Sequence, residues 1–439
     1  MRRVASCAVA LIAAGTLGGG RRAMAQAPGA TDSLTLGALQ AAAVQRDPRR
    51  RQLEILAAQS ALRQRTIDAG QLPTLGMSAQ GQYQSQVATL PVTLPGGIAV
   101  PIPPHATYDT HLDARESLFD PALGRRRAVE RAQLAQSQAE VQSSLYALRQ
   151  AVNDAFFGAL QLQAQEAELE TGLTDLAAQL RVAAERVRQG AALPGDTAIL
   201  AAELLRRRQS LAELAANRDA ALQLLTELTG RPIESARMLA LPELGDEVAR
   251  VREASATRAR PEYEQFERTR ALLAAERAAA SARDLPRLSA FGRAGYGRPG
   301  LNPFSREFTS YWLAGVVVEW TPWSWGTTGR DREVLALQQQ LVATEEAAFR
   351  ESIDRGTIRD LATVDRLERA LGEDDAIIAL REQVLRETQL RFREGVVTSA
   401  EYVDRQTDLL GARLTRASHR VELAQARARY LTTLGVEVH

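Results

Sequence analysis

Apolar and polar positions alternate in four stretches of the chain. In 75–83 the odd positions are Leu75, Met77, Ala79, Gly81 and Tyr83, and the even ones are Gly76, Ser78, Gln80 and Gln82. In 107–119 the even positions include Tyr108, Leu112, Ala114 and Leu118, while Thr107, Asp109, His111, Asp113, Arg115 and Ser117 take the odd ones. Further on, Leu288, Ala290, Gly292, Ala294 and Tyr296 share one face, with Ser289, Arg293 and Gly297 on the other. Then Phe308, Ser310, Trp312, Ala314, Val316, Val318 and Trp320 share a face that carries aromatics near both ends. A period of two predicts strands with one apolar and one polar side. At about ten residues each, they match the length a bilayer asks of a strand. The loop between the first two, Pro91 to Pro104, has no charged residue. The reading is two β-hairpins, at about 74–119 and about 287–321.

The rest of the pattern is helical. From Gly124 to Gly190 runs a stretch rich in Ala, Gln, Leu, Arg and Glu with no proline, residue types of high helix propensity. At about 1.5 Å per residue this is a rod roughly 100 Å long. Leu134, Val141, Leu145, Leu148, Val152 and Phe156 form an apolar seam along it. A second such stretch runs from Gly329 to Gly395, where Val364, Leu371, Ile378, Leu385 and Phe392 recur every seventh residue, a coiled-coil spacing. Return helices follow both, the second with a seam of Val403, Leu410, Leu414 and Val421. Shorter helical patterns precede each hairpin, at 34–71 and 246–284, the first broken at Asp47-Pro48.

These elements occur twice. Pro48 and Pro261 lie 213 positions apart, as do Pro73 and Pro286, which open the strands after Leu72 and Leu285 (261 − 48, 286 − 73). Gly124 to Gly190 and Gly329 to Gly395 both span 66 positions, and the returns end 40 residues later at Gly230 and Gly435. A spacing kept over so long a stretch marks an internal duplication. The fold class expected is mainly α with a small β part: duplicated long αα-hairpins plus four transmembrane β-strands per chain. The divisions are 1–25 a signal peptide, 26–230 a first repeat with its helical hairpin at 124–229, 231–245 a linker, and 246–439 a second repeat with its helical hairpin at 329–434.

Composition narrows the function classes. The 54 basic residues, all arginine, nearly balance 53 acidic ones, so no basic footprint for nucleic acid exists. Cys7 is the sole cysteine and lies in the leader, which excludes disulfides and a cysteine metal site from the mature chain. That leader reads as Arg2-Arg3, an apolar core from Val4 to Leu17, and a small-x-small cleavage site at Ala23-Met24-Ala25. No later run is apolar enough for a transmembrane helix, so a membrane-spanning form has to be a β-barrel. Four strands cannot close one alone, and open edges are not tolerated in lipid, so oligomerisation is the simplest repair. His105, His111, His419 and His439 are scattered and no glycine-rich phosphate loop opens a helix; no enzyme activity and no cofactor are expected. Asp109, His111, Asp113 and Arg115 share one strand face. They read as the wet wall of a barrel lumen rather than as a metal site.

The residues that carry a family likeness are the two Leu-Pro turns into strands, the exits Phe119-Asp120-Pro121 and Trp320-Thr321-Pro322, and the two helical tips. The tips read Arg186 to Asp196, around Gly190, and Phe392 to Glu401, around Gly395. In this order and spacing they resemble the TolC family of outer-membrane efflux channels, over about 34–437. The resemblance implies a homotrimer with a 12-stranded barrel in outer-membrane lipid and a 12-helix tube through the periplasm. It implies that a periplasmic adaptor and an inner-membrane transporter dock at the tips, here Gly190, Gly395 and Thr398. It places Glu401 and Asp404 where acidic side chains ring the pore, and Asp196 where the entrance is held shut. One position departs: Val397 stands where the best-known gate of the family has an arginine, and Arg393, one turn earlier, is the substitute partner that suggests itself for Asp196. Glycine at both tips, and a carboxylate in the first turn of a helix, also have purely local explanations. The alternative reading of the whole is a secreted periplasmic coiled-coil adaptor or scaffold without a barrel.

Overall fold

The computed structural model describes residues 34–88, 102–234, 238–253 and 259–437. The leader and most of the loop from Pro91 to Pro104 lie outside the described residues. The chain begins with α1 (Leu36–Arg46) and α2 (Arg49–Ala69), then β1 (Thr74–Tyr83) and β2 (Ala106–Phe119), then α3 (Pro121–Arg188) and α4 (Pro194–Thr229). The second half repeats this as α5 (Gly245–Glu253), α6 (Pro261–Ala280), β3 (Arg287–Arg298), β4 (Thr309–Glu319), α7 (Thr327–Arg393) and α8 (Ser399–Leu434). Among the described residues no helix is long and apolar enough to cross a membrane.

Local chemistry sets the boundaries. The Asp47 carboxylate takes the Arg49 main-chain N–H and guanidinium, both at 2.8 Å, and so turns α1 into α2 across Pro48. Asp120 caps α3 by accepting from Ala122 N at 2.9 Å, with Pro121 in the first helical turn, where a missing N–H costs nothing. The tips turn through Gly190 (φ 73°) and Gly395 (φ 74°), in the left-handed region that favours glycine. Each tip is closed by a main-chain bond, Ala191 N to Arg186 O at 2.8 Å and Val396 N to Arg391 O at 2.9 Å.

The four strands form one antiparallel sheet in the order β1-β2-β3-β4. The β2–β3 pairing joins the two repeats, with His111 opposite Gly295 and Asp113 opposite Arg293. Among the described residues, β1 and β4 are each paired on one side only.

Among the described residues, the helices pack in three apolar clusters. The largest gathers Leu36 and Leu39 of α1, Phe156 and Phe157 of α3, Leu225 of α4, and Leu431 of α8, with Leu244 beside α5. Inside it Asn153 accepts from Gln40 at 2.6 Å and donates to Thr432 Oγ1 at 3.1 Å, so its buried amide is satisfied. The second lies near the tips, with Leu176, Leu200, Phe392 and Tyr402. The third holds α7 on α8 through Val364, Leu367, Leu423 and Ala426.

Two aspartates interrupt the α7 seam. Asp374 meets His419 Nδ1 at 2.7 Å, and Asp360, 3% exposed, accepts from Thr433 Oγ1 at 3.0 Å. Burial pushes the Asp360 carboxyl above its ordinary value, against smaller opposing effects of Thr433, Arg429 and Arg359. A raised carboxyl means that the folded chain binds the proton more readily than the unfolded one, so stability falls as pH rises through the folded pKa. Asp360→Asn is therefore expected to raise the thermal unfolding midpoint at pH 7. The gain should vanish well below pH 3.8, where both forms of the site are neutral. Unfolding curves at the two pH values check this.

Candidate functional site

The sheet has two unlike sides. On the polar side, Tyr311 Oη donates to Asp109 Oδ1 at 2.5 Å and His111 Nδ1 lies 2.5 Å from Asp109 Oδ2. His111 Nε2 lies 2.9 Å from Asp113 Oδ2, and Arg293 Nε donates to Asp113 Oδ1 at 2.7 Å. One polar chain thus crosses β4, β2 and β3. Three of its members, Asp109, His111 and Asp113, were singled out by the alternation. Arg115 is on the same face but outside this chain, with its carbonyl taking Thr74 Oγ1 at 3.1 Å. Tyr311 was not anticipated, because its place beside Asp109 comes from the register of β4. Each carboxylate oxygen of Asp109 and Asp113 already has a partner. Among the described residues no group of three or more His, Asp or Glu is placed to hold a metal ion.

The other side is apolar and bare. Leu75, Met77, Leu112, Trp312, Val316 and Val318 are all exposed, Leu75 to 82%. Burying a side chain of this size is worth about 1.5–3 kcal/mol, so a whole face of them marks an interaction surface. The rim nearest the helices carries Trp320, Trp323 and Trp325, the last 80% exposed. Trp325 has φ 52°, rare for a bulky residue, and its carbonyl is held by Arg330 Nη2 at 2.7 Å. The far rim carries Tyr83, Tyr108, Tyr296 and Phe308. Aromatics at both edges of an apolar band are the pattern of a membrane interface.

At the tips, Asp196 Oδ2 caps its own helix by accepting from Leu193 N at 3.3 Å, and Asp196 Oδ1 takes Ser399 Oγ at 2.7 Å. The two helical hairpins are therefore tied to each other through Asp196 and fully buried Ser399; among the described residues of one chain, Asp196 does not pair with Arg393. Val397 packs against the apolar cluster below. Thr398 caps α8 by accepting from Glu401 N at 3.3 Å. Tyr402 stacks on Phe392 at 5.2 Å, and Arg186 Nη1 donates to Phe392 O at 2.9 Å. Burial, aided by Asp175, pushes the Tyr402 hydroxyl up to about 12, so it stays neutral. Glu401 and Asp404 lie on the exposed side of α8, and neither pairs with a basic side chain among the described residues.

Behind the tips sits a group that the sequence did not announce. Arg207 of α4 is 2% exposed; it donates to Glu203 Oε1 at 2.7 Å, to Gly172 O of α3 at 3.3 Å and to Thr407 Oγ1 of α8 at 3.3 Å. One buried guanidinium thus joins both hairpins.

No protein-family model and no curated protein matches the chain by sequence. Solved structures do match its fold. A structure of CusC, described for conformational changes accompanying folding and transmembrane channel formation, superposes with a TM-score of 0.67 at 16% identity, covering 92% of this chain and 93% of that one. The outer-membrane channel OprN gives 0.63 at 18% identity, covering 91% and 89%. The open state of the MtrE outer membrane channel of Neisseria gonorrhoeae gives 0.61 at 20% identity, covering 92% and 89%. The chain has the fold of these channels over nearly its whole described length.

Proposed function

We propose that the chain is a TolC-like outer-membrane exit duct, serving a tripartite efflux pump or a type I secretion system. The observation that carries this is the two-faced sheet with bare edges, continuous with two helical hairpins. An apolar outer side with aromatic rims suits lipid, and a polar inner side suits a water-filled lumen. The edges at β1 and β4 are the parts one chain leaves unfinished. β4 of one copy pairing with β1 of the next, in a homotrimer, closes about 12 strands, an even number within the bacterial range. The long helices then form a periplasmic tube. The protein performs no reaction; it conducts cargo when the tips part, and an inner-membrane transporter supplies the energy. A periplasmic adaptor meets the tips around Gly190, Gly395 and Thr398. The Asp196–Ser399 bond is the part of the closed entrance made within one chain.

The scaffold or adaptor reading is disfavoured because it gives the apolar side of the sheet nothing to cover it. The deciding experiment is the mass of protein extracted from the outer-membrane fraction in mild detergent, corrected for bound detergent. Three chains are expected. A soluble monomer absent from that fraction overturns the reading.

Glu401 and Asp404 share a face three residues apart, and under three-fold symmetry they ring the mouth with carboxylates, which attract cations. Glu401→Gln with Asp404→Asn removes two charges per copy. It is expected to shift the reversal potential in a salt gradient toward zero in bilayer recordings. An unchanged potential removes these residues from the selectivity of the pore.

A further inference from the structure

The far rim of the apolar side contains a cation without an anion. Arg298 ends β3 on that side, opposite Tyr108 in the β2–β3 register. Its guanidinium carbon lies 5.3 Å from the centre of the Tyr108 ring and 5.4 Å from that of Phe308. Phe308 in turn stacks on Tyr296 at 5.6 Å and on Tyr108 at 6.1 Å. The rings fix the guanidinium in place, and Arg298 Nη2 donates to Ala106 O at 3.2 Å. Nε is enclosed and has no partner, so the donors left for a ligand are those of Nη1 and the second N–H of Nη2. A guanidinium offers five N–H donors, and the bond to Ala106 O is the single side-chain hydrogen bond that Arg298 makes among the described residues. No described carboxylate pairs with it. The adjoining loop, 84–105, contains no Asp or Glu at all, and the turn at 299–308 contributes exposed Arg306 and Glu307, which offset each other.

A lone charge on a surface made for hydrocarbon is costly at depth and stable at headgroup level, where it meets lipid phosphates. Arginine suits this role because its planar fork binds two phosphate oxygens and stacks on aromatic faces while doing so. We propose that Arg298, set among Tyr108, Tyr296 and Phe308, is a seat for the phosphate of a membrane-lipid headgroup in the leaflet farthest from the helices. The proposal rests on the outer-membrane reading above. It assigns one seat to each copy, because the corresponding end of β1, at Tyr83, is followed by Gln84 and carries no cation.

The test is native mass spectrometry of the delipidated full-length oligomer. The probes are the phosphorylated glycolipid core of lipopolysaccharide, phosphatidylglycerol, uncharged diacylglycerol and inorganic phosphate, each added separately. The expected result is saturable binding of one or both phosphorylated lipids and none of diacylglycerol. Arg298→Gln should weaken that binding about tenfold, the scale of one lost charge-assisted contact. Arg298→Lys keeps the charge but not the fork and should weaken it less. It also serves as the assay variant if Arg298→Gln does not assemble. Inorganic phosphate at the same concentration should neither bind nor compete; if it binds as tightly as the lipids, the lipid assignment is overturned. Equal lipid binding by the wild type and the assembled variants overturns the seat itself. A wild-type protein that is a soluble monomer in the fractionation above overturns the membrane reading instead, so the two failures are distinguishable.

Discussion

Glu203→Leu is expected to lower the thermal unfolding midpoint of the helical part, with a loss on the order of 3–5 kcal/mol, the cost of stranding a buried charge. Glu203 is 9% exposed and receives Arg206 Nε and Nη2 at 2.7 Å as well as Arg207 Nε. Without it, the acceptors left to Arg207 among the described residues are neutral, Gly172 O and Thr407 Oγ1 at 3.3 Å, inside a protein wall. Burial alone pushes the Glu203 carboxyl up, but the hydrogen bonds and charges of Arg206 and Arg207 outweigh it and hold the carboxyl below its ordinary value. A lowered carboxyl stabilises the folded state above the unfolded pKa and loses that contribution as pH falls. The wild type should therefore approach the variant as pH drops below the ordinary value of 4.5. Glu203→Leu with Arg207→Met should regain most of the loss, because two apolar groups replace both charges. Melting followed by helical circular dichroism decides the matter. A Glu203→Leu midpoint equal to that of wild type at pH 7 removes this ion pair from the account of how the hairpins are joined.

Gly297→Val is expected to abolish assembly where Gly292→Val leaves it intact. A Cβ on Gly297 falls 2.8 Å from Tyr108 O and 2.9 Å from Asp109 Oδ1, so the obstacle includes main chain of the neighbouring strand. Overpacking typically costs about 1–3 kcal/mol where side chains can give way; main chain in a ladder yields less readily. Gly292, five positions back on the opposite side of the same strand, has nothing within 4 Å of its would-be Cβ. The measurement is the fraction of outer-membrane protein that runs as a heat-resistant oligomer. Equal fractions for the two variants show that the close approach at Gly297 does not govern folding of the sheet.

The fold class was legible because the duplication let each weak pattern be read twice. Period-two alternation located the strands, and β1 at Thr74–Tyr83 coincides almost fully with the stretch read as 75–83. The seven-residue seam led inward to Val364 and Phe392, both buried. What escaped was long-range. Asp360 and Asp374 look like surface charges until α8 brings Thr433 and His419 to them, 73 and 45 positions away. Tyr311 reaches Asp109 over 202 positions through the register of β4, and alternation decides which face a residue takes but leaves register open in steps of two. Because Val397 departs from the family pattern, Arg393 one turn earlier suggests itself as a substitute partner of Asp196; within one chain the bond instead goes to Ser399, which the start of α8 brings within 2.7 Å. The offset between repeats shrinks from 213 before the strands to 205 after them (286 − 73, 329 − 124). The two exits are unequal as well: Asp120 alone separates β2 from α3, whereas residues 320–326, with three tryptophans, separate β4 from α7.

The bare flanks of β1 and β4 also bear on the order of events during biogenesis. Each unpaired main-chain N–H or C=O carried into hydrocarbon costs several kcal/mol. A solitary chain therefore faces a barrier that grows with the length of both flanks, and a ring that is one chain short faces the same barrier. Under the trimer reading, meeting of the chains has to precede or accompany their passage into the bilayer. The rate of insertion should then rise more steeply than the first power of chain concentration, and dilution should leave chains waiting on the periplasmic side with their apolar surface uncovered.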